Sequence, residues 1–236
     1  MSDSHFKGKE VVEHLYDARL KGKAATSEVH GAELPGHFFS CFDAIKETAI
    51  LMLILHLLAF QTYLFLIFIL LLMVYKFGRS SLLGWIRLQR LHRLIEEERW
   101  EIEHHRQQER KELEALYQAK GFSGRMLQEV VDVLMADDNR LLQVMLEEEL
   151  GLTLEAFEHP LKQGFGALIG VLIAGIVLYA CLFIPFGVWI GALLLVGVTA
   201  GLSAKKERNP IASSVIWNIS LTLLIGLLTI FLKAML

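Results

Sequence analysis

The chain has 236 residues, 54% of them hydrophobic, with a mean hydropathy of +0.45, yet 21% are charged. A soluble domain rarely combines these values, whereas a membrane protein with a sizeable water-facing insert does. A formal charge of −3 without any basic-plus-aromatic motif argues against a nucleic-acid partner. Cys41 and Cys181 lie in or beside apolar stretches, so no disulfide framework is expected.

The first forty residues are polar, so no cleavable signal peptide is expected and the first apolar helix would direct insertion. Residues 1–37 read as a cytosolic N-terminal segment. Within it His30 and His37, beside Gly31, Glu33 and Gly36, either bind metal or, more simply, belong to an ordered loop before the membrane. The first apolar block, residues 49–74, is interrupted only by His56, Gln61 and Thr62. Crossing a bilayer takes roughly 20 helical residues, so this block is long for one span and short for two. It holds two if the first begins near Phe38 and takes Asp43, Lys46 and Glu47 partly into the bilayer, the second running from about Tyr63 to Ser80. Asp43 and Glu47, at i and i+4, share one helix face. Carboxylates inside a bilayer mark an ion path or proton relay; at the interface they would merely be solvated, with Lys46 snorkelling. His56 reads as structural.

From residue 77 to 120 there is no proline, and the only glycines are Gly78 and Gly84. The second span is therefore predicted to continue as one long helix ending at Gly121. Ser123 can cap a helix over 124–136 with Met126, Leu127, Val130, Val131 and Leu134 on its apolar face. Asp137-Asp138-Asn139 reads as a turn or cap, and a third helix over 140–150 closes at Gly151. Three such helices make a small bundle over residues 82–160. On the long helix Glu98, Glu101, His105, Glu109 and Glu112 fall within roughly 80° of one another at 100° per residue. On the third helix Met145 and Glu149 share a face. Carboxylates with an imidazole and a thioether suit a borderline divalent cation such as Fe(II) or Mn(II), and without metal the stacked glutamates should hold raised pKa values. The alternative is a solvated acidic face paired locally with Arg99, Arg106, Arg110 and Lys111. Glu101-Ile102-Glu103-His104 is a lone Glu-x-x-His, and a di-iron centre would need a second.

Residues 164–204 and 211–232 carry no formal charge. The first stretch holds two spans divided at Pro185-Phe186-Gly187, and the second holds one. Pro35, Pro160, Pro185 and Pro210 all fall at span edges. Gly166 and Gly170, Gly187 and Gly191, and Gly197 and Gly201 have the four-residue spacing that lets helices approach closely. The organisation is thus an all-α membrane protein of about five transmembrane helices: spans one and two over 38–81, a three-helix cytosolic domain over 82–160, and spans three to five over 161–236. The basic groups Lys76, Arg79, Arg87, Arg90 and Arg93, and Lys205, Lys206 and Arg208, place the insert and the N-terminus in the cytosol and Leu236 on the opposite side. The host is either a bacterial inner membrane or an organelle membrane.

Glu98-x-x-Glu101, Glu109-x-x-Glu112, Leu116-Tyr117-x-x-x-Gly121 and Met145-x-x-x-Glu149-Leu150-Gly151-Leu152 together resemble the vacuolar iron transporter family, over about residues 95–152. The five-span layout with its insert after span two is similar to that family as well. The resemblance implies a homodimeric antiporter that exchanges cytosolic Fe(II) or Mn(II) for protons, with two subunits sharing each glutamate cluster. It makes Glu98, Glu101, Glu109, Glu112, Met145 and Glu149 the metal ligands; His105, on the same stripe, is a possible accessory ligand by its position alone. Where the family has a second methionine, Leu146 stands here. Of the family's Asn-Asp-Gly in span one, Cys41-Phe42-Asp43-Ala44 keeps only the aspartate. The family's glutamate in span two has no counterpart, so the transport path is assigned to Asp43 with Glu47 or Met73.

Two other functions are open: a non-transporting membrane-anchored metal buffer or sensor, and a structural helical anchor. The anchor is disfavoured because Trp100 and Ile102 are the only apolar residues between Glu96 and Glu112, too few for a coiled-coil seam. An enzyme is not expected, since no nucleophile–base constellation or phosphate-cradling glycine loop occurs.

Overall fold

The computed structural model describes residues 36–151 and 158–235. The expectations placed on residues 1–35, including His30 and Pro35, and on Leu152 and Leu236, lie outside them. The described residues form eight helices and no strand: α1 (Gly36–Leu57), α2 (Thr62–His104), α3 (Arg106–Ala119), α4 (Gly124–Met135), α5 (Asp138–Glu148), α6 (Pro160–Cys181), α7 (Gly187–Lys206) and α8 (Ile211–Met235). They fall into two compact units, one of residues 31–85 with 158–236, the other containing residues 86–157.

In the first unit the ambiguous apolar block resolves into two helices. The break comes at residues 58–61, where Ala59 takes a positive φ of 59° and Phe60 N–H closes on the Leu55 carbonyl at 3.1 Å. Four helices, α2, α6, α7 and α8, are long and apolar enough to cross a membrane. The fifth expected span corresponds to α1, which has 22 residues but carries Asp43, Lys46 and Glu47. The prolines act as expected: Pro160 opens α6, Pro210 precedes α8, and Pro185 precedes Phe186, whose positive φ of 57° starts α7. Between α1, α2, α6 and α7 lies one apolar core that includes Ala44, Met52, Leu53, Phe65, Ile69, Ala167, Val171 and Ala192.

The glycine pairs divide by role. A Cβ on Gly166 or Gly170 would run into the backbone carbonyls of His37 and Cys41, so α6 and α1 touch backbone to backbone there. Gly197 and Gly201 would meet only side chains of α8 at ordinary contact distance, the nearest being 3.4 Å and 3.5 Å away. His37 sits in the first turn of α1, where its N–H donates to Glu158 Oε2 at 3.0 Å and its Nδ1 lies 2.6 Å from Glu158 Oε1. It is therefore an anchor for the start of α1, and it lies within a helix rather than in the ordered loop expected before the membrane.

The second unit departs from expectation first in its long helix. The long helix is not continuous to Gly121: it ends at His104, and α3 starts at Arg106. His105, at φ −124° and ψ 35°, interrupts it. The unit is consequently built from four helical segments rather than three. Ile102, Leu113, Leu116, Val131, Leu141 and Met145 form its main core, and Leu91, Leu146 and Leu150 a second cluster. Ser123 stands at the N-cap of α4 without a side-chain capping bond, whereas Asp137 caps α5 by accepting from Arg140 N–H at 2.8 Å. Met126, expected on the apolar face of α4, is exposed.

Candidate metal centre

The interruption at His105 changes what the acidic residues can do. On an unbroken helix Glu98 and Glu109 would lie about 16 Å apart along the axis, at 1.5 Å per residue, too far to hold one ion. With the chain re-aimed after His104, ligand oxygens of Glu98 on α2, Glu109 on α3 and Glu149 at the C-cap of α5 lie within 4.8 Å of one another. Three segments of one chain thus converge on a single point. The sequence stripe identified the residues, but not the turn that brings them together.

Burial bears on the two readings of the stripe. Glu98, Glu101, Glu109, Glu112 and Glu149 are all buried, Glu109 completely at 0% exposure. Two of the four basic residues offered as their local partners turn elsewhere. Arg106 bonds Asp138 Oδ1 and the Met135 carbonyl, both at 2.6 Å, and Arg110 bonds Asp132 at 2.6 Å and Glu114 at 3.1 Å. Both Glu109 carboxyl oxygens and Oε1 of Glu98 are buried without a hydrogen-bond partner. Such groups destabilise a fold by about 1–3 kcal/mol each unless something satisfies them. A solvated acidic face would show the opposite pattern.

The electrostatics follow from this enclosure. Burial first, then Glu112, Glu149 and Glu101, push the Glu109 carboxyl up to about 9. Burial, followed by Glu149, Glu109, Glu101 and Glu112, holds Glu98 well above the usual carboxylate range. All three glutamates belong to the unit that contains residues 86–157, so this is a site in the polar unit. At neutral pH it stores protons that a divalent cation would displace. An all-carboxylate donor set with orphaned oxygens fits such a cation.

The other expected ligands sit around this point. Glu101 and Glu112 are buried beside it, and Gln108 Nε2 donates to Glu112 Oε1 at 3.3 Å. Met145, one turn before Glu149, is fully buried in the apolar core. Leu146, at the family's second methionine, packs with Leu91 and Leu150. His105 lies outside the converging trio, with its ring edge-on to Trp100 at 5.3 Å between centroids, while His104 stacks on the same indole at 4.5 Å. The two histidines flank Trp100 at the break, an arrangement that spacing alone did not reveal.

In the apolar unit, Asp43 and Glu47 share one face of α1 as expected, but a third residue joins them. Lys76 of α2, only 3% exposed, places Nζ 2.5 Å from Glu47 Oε2 and 3.8 Å from Asp43 Oδ2. The basic residues after span two had served only to orient the chain. A lysine still inside the apolar segment, opposite paired carboxylates, was the signal for this ion pair. Met73, one turn before Lys76, is half-buried against the apolar core.

A family model, described as the VIT family, matches residues 87–236. That stretch includes Glu98, Glu101, Glu109, Glu112 and Glu149 and helices α3 to α8, but not Asp43, Glu47 or Lys76. No curated protein and no solved structure matches the chain.

Proposed function

This chain belongs to the VIT family, and from that premise we propose that it is a transporter, not an enzyme, that moves Fe(II) or Mn(II) out of the cytosol in exchange for protons. The carrying observation is the convergence of Glu98, Glu109 and Glu149, buried and with orphaned oxygens, in a membrane protein. The polar unit is cytosolic, and its glutamates collect the ion, Glu101, Glu112 and Met145 completing the donor set and His105 serving as an accessory. Protons released from Glu98 and Glu109 on loading supply part of the exchange. α1 is the fifth span, and Asp43 and Glu47, with Met73 beside them, line the route through the membrane. Lys76 is the resident cation of that route, and a divalent ion arriving there replaces its ammonium at the two carboxylates. Two subunits form the working homodimer.

One observation favours a second reading, a membrane-anchored metal buffer. The carboxylates of α1 already have a tethered counter-ion, so they hold no obvious vacancy for metal. Proteoliposomes containing a pH-sensitive dye separate the two. The transporter reading expects Mn(II) flux with opposing proton movement, both lost in Asp43→Asn and Glu47→Gln. Metal binding with no flux in the wild type would favour the buffer.

A further inference from the structure

Along the apolar unit runs an open groove of about 430 Å³, formed by α1, α6 and α7. Its walls include Phe42, Ile173, Val177, Leu194, Val198 and Leu202, a purely aliphatic and aromatic surface apart from Cys181 and Thr199. The Thr199 hydroxyl is committed to the Leu195 carbonyl at 2.6 Å, so the groove offers no polar anchor inside. Lining residues on α7 run from Gly187 to Leu202, about 22 Å at the helical rise. One leaflet of a ~30 Å hydrocarbon core is about 15 Å deep, so the groove is long enough for an acyl chain.

One end of the groove is basic. Leu202 is followed within six residues by Lys205, Lys206 and Arg208, all exposed. Lys206 Nζ lies 3.7 Å from the ring centroid of Phe38, and Phe38 lies 6.4 Å from Phe42, which lines the groove. The carboxylate nearest in sequence, Glu207, accepts from Asn209 Nδ2 at 3.0 Å. An apolar slot of leaflet length ending in three cations is complementary to a lipid with a negatively charged headgroup.

We propose that this groove binds one anionic phospholipid of the surrounding bilayer, its acyl chain along α7 and its phosphate at Lys205, Lys206 and Arg208. A second copy of the chain is the competing occupant. The test is native mass spectrometry of the full chain released from detergent after incubation with phosphatidylglycerol or phosphatidylcholine of identical acyl chains. The expected result is one retained phosphatidylglycerol per chain, in clear preference to phosphatidylcholine. Each of Lys205→Gln and Lys206→Gln should lower that preference about fivefold, from roughly 1 kcal/mol per basic residue. Val198→Trp, or Leu194→Phe should the first not fold, fills the slot and should abolish retention of both lipids. Equal retention of the two lipids by the wild type would overturn the proposal, as would unchanged retention in a folded slot-filling variant. Efficient disulfide cross-linking of Leu194→Cys between two chains would also overturn it, by assigning the groove to a second copy.

Discussion

The sharpest consequence of the glutamate cluster is that metal binding must release protons at neutral pH. Glu109 has its carboxyl pushed up to about 9 by burial and by Glu112, Glu149 and Glu101, so at pH 7 it is about 99% protonated. Glu98 is raised well above its usual value for the same reasons. A divalent cation coordinates the ionised form, so loading the site at pH 7 should expel about one proton from Glu109, with Glu98 adding to the count. Affinity should then rise with pH by up to about tenfold per unit for each proton displaced. The assay is calorimetric titration of the full-length protein with Mn(II) in two buffers of different ionisation enthalpy, which counts the protons directly. Glu109→Gln, which keeps the shape and removes the titrating group, should lower the count by about one and flatten the pH dependence accordingly. Binding without proton release, or with an affinity independent of pH between 6 and 8, would refute the argument.

The same pKa direction fixes the pH dependence of the metal-free fold. The Glu109 pKa is raised in the folded state, so its stabilising contribution is complete below the ordinary carboxylate value of 4.5 and is lost as pH rises toward about 9. Thermal melting of the metal-free protein should therefore fall between pH 5 and 9, and Glu109→Gln should remove most of that slope. In the apolar unit, the double variant Asp43→Asn/Glu47→Gln leaves the buried Lys76 ammonium unpaired and should destabilise the protein by on the order of 3 kcal/mol, read by its melting in detergent. Gly170→Ala drives a Cβ into the Cys41 carbonyl and should lower the melting temperature by the equivalent of about 1–3 kcal/mol, whereas Gly201→Ala, with 3.5 Å to its nearest neighbour, should be neutral.

What the sequence made legible follows from which signals are local. Pro160, Pro185 and Pro210 stop or start helices wherever they occur, so the boundaries of α6, α7 and α8 could be read directly. The identity of the cluster residues was legible because glutamates at three- and four-residue spacing share a face. Their convergence was not, because it depends on a break at His105 that no proline or glycine announces. Trp100 packs locally against His104 and His105 there, while Arg106 reaches to Asp138 and Met135, contacts about thirty residues away in sequence that no local pattern shows. Lys76 was hidden for a similar reason. Its charge is a weak local feature, and its partners are on another helix.

The account stands on one claim, that the break at His105 folds Glu98 and Glu109 onto a common point with Glu149. Anomalous diffraction from crystals of the full-length protein grown with Mn(II) tests it most directly. The expected map has a Mn(II) peak coordinated by carboxylate oxygens of Glu98, Glu109 and Glu149 from one chain. A bound ion that leaves these three residues untouched, or a continuous helix through residue 105 that separates Glu98 from Glu109, would contradict it.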